Sequence, residues 1–161
     1  MSKIILGIDP GIADTGFGVI KVDKGKITCL TYGSIKTPKK TDLSERLVTL
    51  YDDLNSLLER YHPDLAAVEQ LFFNTNVTTA LIVGQARGVA LLALKQRKVS
   101  IVNFTPSQVK AAVCSYGAAP KLQVQKMVKT ILSLEKIPTP DDAADALALA
   151  ICASGARLEA C

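Results

Sequence analysis

The sequence predicts an α/β fold: a mixed five-stranded sheet, three antiparallel strands followed by parallel additions, flanked by helices. Three observations lead there. Short Ile- and Val-rich runs, too brief for helices, crowd the N-terminal third, with a hairpin signal between two of them. Further on, apolar runs alternate with helical patterns, as strand–helix crossovers do. The chain has 161 residues, 48% hydrophobic and 21% charged, which suits one domain, residues 1–161, around a substantial core.

Lys3 to Ile8 reads as a buried central strand and is closed by the turn Asp9-Pro10-Gly11. Gly16 to Val22 and Ile27 to Ile35 follow as strands joined by Asp23-Lys24-Gly25-Lys26, a hairpin turn. Leu43, Leu47, Leu50, Leu54, Leu57 and Leu58 then recur at helical spacing with Glu45, Arg46, Asp52, Asp53 and Glu59 between them. Thr41 is the expected cap, and His62-Pro63-Asp64 ends that helix. Leu65 to Val68 is a fourth strand ending at Glu69. Thr78 to Lys98 is a long, mostly apolar helix whose Gly84 and Gly88 leave a stripe of backbone bare, and Val99 to Phe104 is the fifth strand. Thr105-Pro106-Ser107-Gln108 carries an N-cap, a proline at the first helical position and a capping-box Gln. Gly117 to Pro120 breaks the short helix that follows. Leu122 to Leu132 forms another helix, and the last runs from Thr139-Pro140 to about Ser154, with Gly155 as its stop.

Composition narrows the chemistry. A net charge of +4 permits an anionic partner without requiring one. None of the four cysteines sits in a C-x-x-C pair, and His62 is the one histidine, so a zinc centre is not expected. Unpatterned thiols and no charged-then-apolar leader point to a reduced, cytoplasmic protein. The most apolar stretch, Val77 to Leu94, has Gln85 and Arg87 near its middle, so no membrane span is expected.

Carboxylates hold the chemical interest. Asp9 ends the first strand and Glu69 the fourth, while Asp142 and Asp145, three apart, share one face of the last helix. If strands one and four are parallel neighbours, both strand-end acids emerge where α/β sheets place their sites. Four gathered acids repel unless a cation neutralises them, and hard divalent metals prefer oxygen ligands. Two such ions about 3.5–4 Å apart clamp a phosphodiester, one activating water and one stabilising the departing oxygen. Each acid also has a plainer reading. Asp9 fits a turn, Glu69 a solvated strand end, and Asp142 a capping box with Thr139. Asp141, Asp142 and Asp145 all suit the positive end of a helix dipole, and Asp141 is left with that role.

The segments GIDPGIADTGFGVI, EQLFFNTNVTTALIVGQARGV, FTPSQVKAAVCSYGAAPKLQVQKMV and DDAADALALAI together resemble the RuvC-type Holliday-junction resolvases, in order and over nearly the whole chain. The resemblance implies an RNase H-like fold, a homodimer and a branch-migration helicase complex as partner. The implied activity is Mg2+-dependent, with two ions per site and Mn2+ as a substitute: symmetric nicking of four-way junction DNA in recombination and repair. It places the acidic tetrad on Asp9, Glu69, Asp142 and Asp145, the junction-contacting aromatic on Phe72, and phosphate-handling lysines on Lys110 and Lys121. Many relatives carry a histidine near the end of the last helix, where this chain has Ile151-Cys152-Ala153-Ser154.

Under that resemblance Phe72 could stack on an unpaired base, a contact of about 1–3 kcal/mol, whereas Phe73 is assigned to packing. Lys110, Lys121, Lys126 and Lys129 are taken as DNA-facing. Lys36, Lys39 and Lys40, like Lys95, Arg97 and Lys98, are taken as solvated surface, and Arg87 as an interface or phosphate contact. The helix from Thr78 is either a core helix or a two-fold interface. Three rivals stand beside the resolvase: an actin- or sugar-kinase-type ATPase, a non-catalytic branched-DNA binder, and a nuclease of similar fold acting on another substrate.

Overall fold

The computed structural model describes residues 1–70 and 77–155. Its elements run β1 (Lys3–Asp9), β2 (Asp14–Asp23), β3 (Lys26–Lys36), α1 (Leu43–Tyr61), β4 (Leu65–Glu69), α2 (Val77–Gln96), β5 (Ser100–Phe104), α3 (Pro106–Cys114), α4 (Lys121–Ile131) and α5 (Asp141–Gly155). The strands form one sheet in the order β3-β2-β1-β4-β5. The pairs β1–β2 and β2–β3 are antiparallel, while β1–β4 and β4–β5 are parallel. The expected mixed topology is thus present. Because β2 runs against its neighbours, the ends of β1, β3, β4 and β5 all gather at the sheet edge where β2 begins.

Local chemistry accounts for the element boundaries. Lys24 and Gly25 both have positive φ, 49° and 82°, as a tight hairpin between right-twisted strands requires. The Thr105 hydroxyl accepts from the Gln108 N–H at 3.2 Å and the Gln108 side chain accepts from the Thr105 N–H at 2.8 Å, which closes the expected capping box of α3. Two expected caps lie elsewhere. Asp42, not Thr41, is the residue before α1; the Thr41 hydroxyl instead donates to the Pro38 carbonyl at 2.9 Å. At α5 the Pro140 carbonyl accepts from the N–H groups of Ala143 and Ala144, so Pro140 rather than Thr139 stands at the helix start. In both cases neighbouring residues compete for one capping position, and the tertiary path of the loop decides.

The sheet separates two cores. One face packs Leu6, Ile8, Val19, Ala66 and Val68 beneath α1 and α2. The other packs Ile5, Ile20, Leu65 and Ala67 beneath α3, α4 and α5. Helix α2 is long and apolar enough to cross a membrane by composition alone, but it lies on the sheet through Ala86, Ala90, Ala93 and Leu94. Val77, Leu81 and Leu92 point outward, and a Cβ built on Gly84 or Gly88 would meet nothing within 4 Å. Its outer side is therefore an apolar surface with no covering among the described residues.

On the opposite face, α5 approaches the sheet unusually closely because three glycines make a seat for it. Gly7 of β1 is paired with Gly18 of β2, and Asp9 with Gly16. A Cβ on Gly7 would stand 1.8 Å from the Ala146 carbonyl oxygen, and one on Gly16 would stand 2.0 Å from that of Asp142. One on Gly18 would stand 2.7 Å from the Leu147 side chain. The facing helix supplies small residues, with Ala143, Ala144, Ala146 and Ala148 all buried. Sheet backbone and helix backbone meet with nothing between them, so the first turns of α5 are held against the ends of β1 and β2.

Candidate active site

Strand pleating puts the acids of β1 and β4 on the same side. Side chains alternate along a strand, so Asp9 shares a face with Gly7 and Ile5, and Glu69 shares one with Ala67 and Leu65. Ile5, Leu65 and Ala67 all belong to the core beneath α5. The parallel register Ile5↔Leu65 and Gly7↔Ala67, carried one step further, sets Asp9 beside Glu69. Gly16, opposite Asp9, lets the Asp142 backbone settle directly on the sheet. One carboxylate oxygen from each of Asp9, Asp142 and Asp145 falls within 4.8 Å of the other two. Glu69 joins this triad through a side-chain hydrogen bond with Asp9.

All four carboxyls are held above their ordinary range, as crowding and partial burial dictate. Burial is the first cause for Asp9, followed by the charges of Glu69, Asp145 and Asp142, and together they push it up to about 8. Burial and Asp145 raise Glu69 as well, while its bond with Asp9 acts in the opposite direction. Asp9 and Glu69 thus share a proton as a pair. Asp142 is raised by burial, then by Asp14 and Asp145. Asp145 is raised by burial against the opposing pull of Lys121. A cluster of hard oxygen donors that must hold protons when alone is chemically suited to a divalent cation, whose oxygen ligands sit at about 2.0–2.6 Å.

Two lysines flank the cluster. Lys121 Nζ lies 3.2 Å from Asp141 Oδ2 and 3.4 Å from Asp145 Oδ2. Asp141 also accepts from the Gln125 amide at 3.1 Å, so this fifth acid serves α4 and the lysine rather than the triad. Lys110 is close enough to pull the Asp145 carboxyl downward. Both lysines line a cleft of about 190 Å³ together with Glu69, Asp145, Pro106 and Val109. Phe72, assigned to junction contact by resemblance, lies outside the described residues, as does Phe73.

Two contributors were not read from the sequence. One is the glycine seat of α5. The other is the use made of Arg87, read from the sequence as an interface or phosphate contact, which in the fold also bonds to two neighbouring strands. Its Nε donates to the Glu69 carbonyl at 3.0 Å and its Nη2 to Asn103 Oδ1 at 2.6 Å. It ties α2 to the ends of β4 and β5. Alongside it, the Gln70 N–H donates to the Phe104 carbonyl at 2.9 Å. Arg87 stood out in the sequence as a charge within an apolar helix, but its partner is a backbone atom that no residue pattern reveals.

Comparison with known proteins agrees with this fold. Residues 5–153 match the model of the family described as crossover junction endodeoxyribonuclease RuvC. The protein of that name from Heliobacterium modesticaldum is 54% identical over 149 residues, covering 92% of each chain. The Thermus thermophilus RuvC structure superposes with a TM-score of 0.87 at 36% identity, covering 94% of this chain and 93% of the other. T. thermophilus RuvC in complex with Holliday junction substrate gives a TM-score of 0.86 at 34% identity, covering 94% and 92%.

Proposed function

The chain belongs to the RuvC family of crossover junction endodeoxyribonucleases, and from that premise we propose that Asp9, Glu69, Asp142 and Asp145 carry its nuclease chemistry. It is an endonuclease of four-way DNA junctions, resolving them by paired nicks in recombination and repair. The observation that carries the residue assignment is the convergence of three acids, distant in the chain, within 4.8 Å of one another, with Glu69 hydrogen-bonded to the first. When bound there, divalent cations, two Mg2+ per site with Mn2+ as a substitute, supply an activated water and charge stabilisation for the departing 3′ oxygen. Asp9 and Glu69 provide oxygen ligands from the rigid sheet; Asp142 and Asp145 provide them from α5. The proton shared by Asp9 and Glu69 must leave for this role. Lys110 and Lys121, at the cleft, hold the phosphate backbone, and Phe72 stacks against a base at the junction centre.

The same reading extends to assembly. The uncovered apolar side of α2, with Gly84 and Gly88 open to close approach, is the surface through which two copies pair. A two-fold dimer presents two identical sites to a near-two-fold substrate, so symmetric nicks follow. The branch-migration helicase complex is the partner that delivers the junction. Cys29, Cys114 and Cys152 are free thiols, in keeping with a cytoplasmic setting. Strand mapping on a synthetic four-way junction tests the assignment. The wild type should give Mg2+-dependent paired nicks, and Asp9→Asn should lose them by roughly 10³-fold while still binding the junction, because the lost group acts on the reaction. Undiminished nicking by Asp9→Asn would remove that carboxylate from the mechanism.

A further inference from the structure

We propose that Lys36, Lys39 and Lys40, on the loop joining β3 to α1, form a second phosphate-contact rim for the DNA, on the flank of the acid centre opposite Lys110 and Lys121. The inference rests on the junction-nuclease reading and assigns a DNA-contacting role to lysines that the sequence alone presents as solvated surface.

Topology supplies the first argument. β3 ends at Lys36, opposite Asp14 of β2, at the sheet edge where β1 delivers Asp9. The three lysines are exposed there. β3 lies two strands from β1 on one side, and β5, which leads into α3 and Lys110, lies two strands away on the other. At a spacing of about 4.8 Å per strand, each flank is about 10 Å from β1. A DNA strand laid across the sheet end would meet cations on both sides of the acids.

The loop is also built rather than loose. Thr37, between Lys36 and the other two, is buried. Its N–H donates to the Ala13 carbonyl at 3.2 Å, and its hydroxyl donates to the Ile12 carbonyl and accepts from Arg46 Nε at 2.9 Å. Ile12 and Ala13 belong to the turn that leaves Asp9. The lysine loop is therefore fastened to the segment that carries the first acid of the site.

Charge points the same way. Among the described residues, no carboxylate comes within ion-pair distance of Lys36, Lys39, Lys40 or Arg46, whereas Lys121 is held by both Asp141 and Asp145. Asp14, across from Lys36, accepts from the Ser34 hydroxyl at 3.3 Å instead. Asp42 and Glu45 follow at the start of α1, where the helix dipole favours acids. Lysines left without an ion-pair partner on a fixed loop are free to neutralise phosphate.

The test is a salt titration of four-way-junction binding with Ca2+ replacing Mg2+. It compares wild type, the rim variant K36Q/K39Q/K40Q and a charge-matched control, K3Q/K24Q/K26Q, at the far end of the sheet. Each lost phosphate contact lowers the slope of log affinity against log salt by about 0.9. The rim variant should lose about two to three from that slope and bind at least about thirtyfold more weakly near 0.1 M salt, while the control loses less than one. The single variant Lys39→Gln should lose about 0.9, which keeps the test open if the triple folds poorly. A rim slope equal to the wild type's or to the control's overturns the proposal. A wild type that neither binds nor nicks the junction would instead defeat the nuclease reading on which it rests.

Discussion

The two halves of the acid centre are positioned by different physics. Asp9, Asp142 and Asp145 meet because the backbones of β1, β2 and α5 touch, with Gly7, Gly16 and Gly18 removing every atom that would separate them. Glu69 sits at the end of a five-residue strand and is held from behind by polar bonds, Arg87 to its carbonyl and Gln70 to Phe104. The first half is a packing solution: stiff, and intolerant of one added methyl. The second is a tether in which the side chain of one residue fixes the backbone of another. A tether can be cut without unfolding the sheet, whereas a packed seat cannot be altered without moving a helix.

Substitutions should separate these two modes. Gly7→Ala should have the larger effect, because its methyl would have to occupy the space of the Ala146 carbonyl oxygen. We expect a loss of about 3 kcal/mol in denaturant unfolding, the upper end of overpacking costs, with nicking lost as α5 shifts. An unchanged unfolding midpoint would show that the seat is loose. Arg87→Gln should act more narrowly. Losing two hydrogen bonds at the end of β4 should cost about 1 kcal/mol of global stability while slowing single-turnover nicking about tenfold, with Arg87→Lys intermediate in rate. Equal losses in stability and rate would make Arg87 a fold residue, not one that positions Glu69.

The same contrast marks what was legible beforehand. Asp9 and Glu69 could be picked out because a charge that terminates an apolar run is conspicuous. Asp142 and Asp145 could be paired because helical spacing puts residues three apart on one face. The mixed character of the sheet followed from the hairpin turn and the alternation of runs with helices, whereas the pairing of β1 with β4 could be posed only as a condition. The glycine seat was in plain view as G-I-D and T-G-F-G, yet its meaning lies in α5, more than a hundred residues away, and a glycine does not name the helix it admits. Arg87 was visible as an odd charge, but a bond to a carbonyl carries no residue signature. Lys36, Lys39 and Lys40 carry no mark of their own in the sequence; what singles them out is Thr37, fastened to the turn after Asp9. Periodicity reports what lies along one element; contacts between distant backbones have no local pattern.

The central claim is that these acids form one cation-binding unit. Without a cation, Asp9, Glu69, Asp142 and Asp145 all sit above their ordinary range in the folded protein. The folded state then binds more protons than the unfolded chain between about pH 4 and Asp9's value of about 8, so stability falls as pH rises through that window. A divalent cation replaces those protons and restores the loss where the acids are most ionised. The decisive measurement is the Tm of wild type and Asp9→Asn, with and without Mg2+, at about pH 5.5 and about pH 8.5. The account predicts a clear gain from Mg2+ in the wild type at the higher pH, little gain at the lower, and a much smaller gain in Asp9→Asn. Equal gains at both pH values, or a full gain retained by Asp9→Asn, would contradict it.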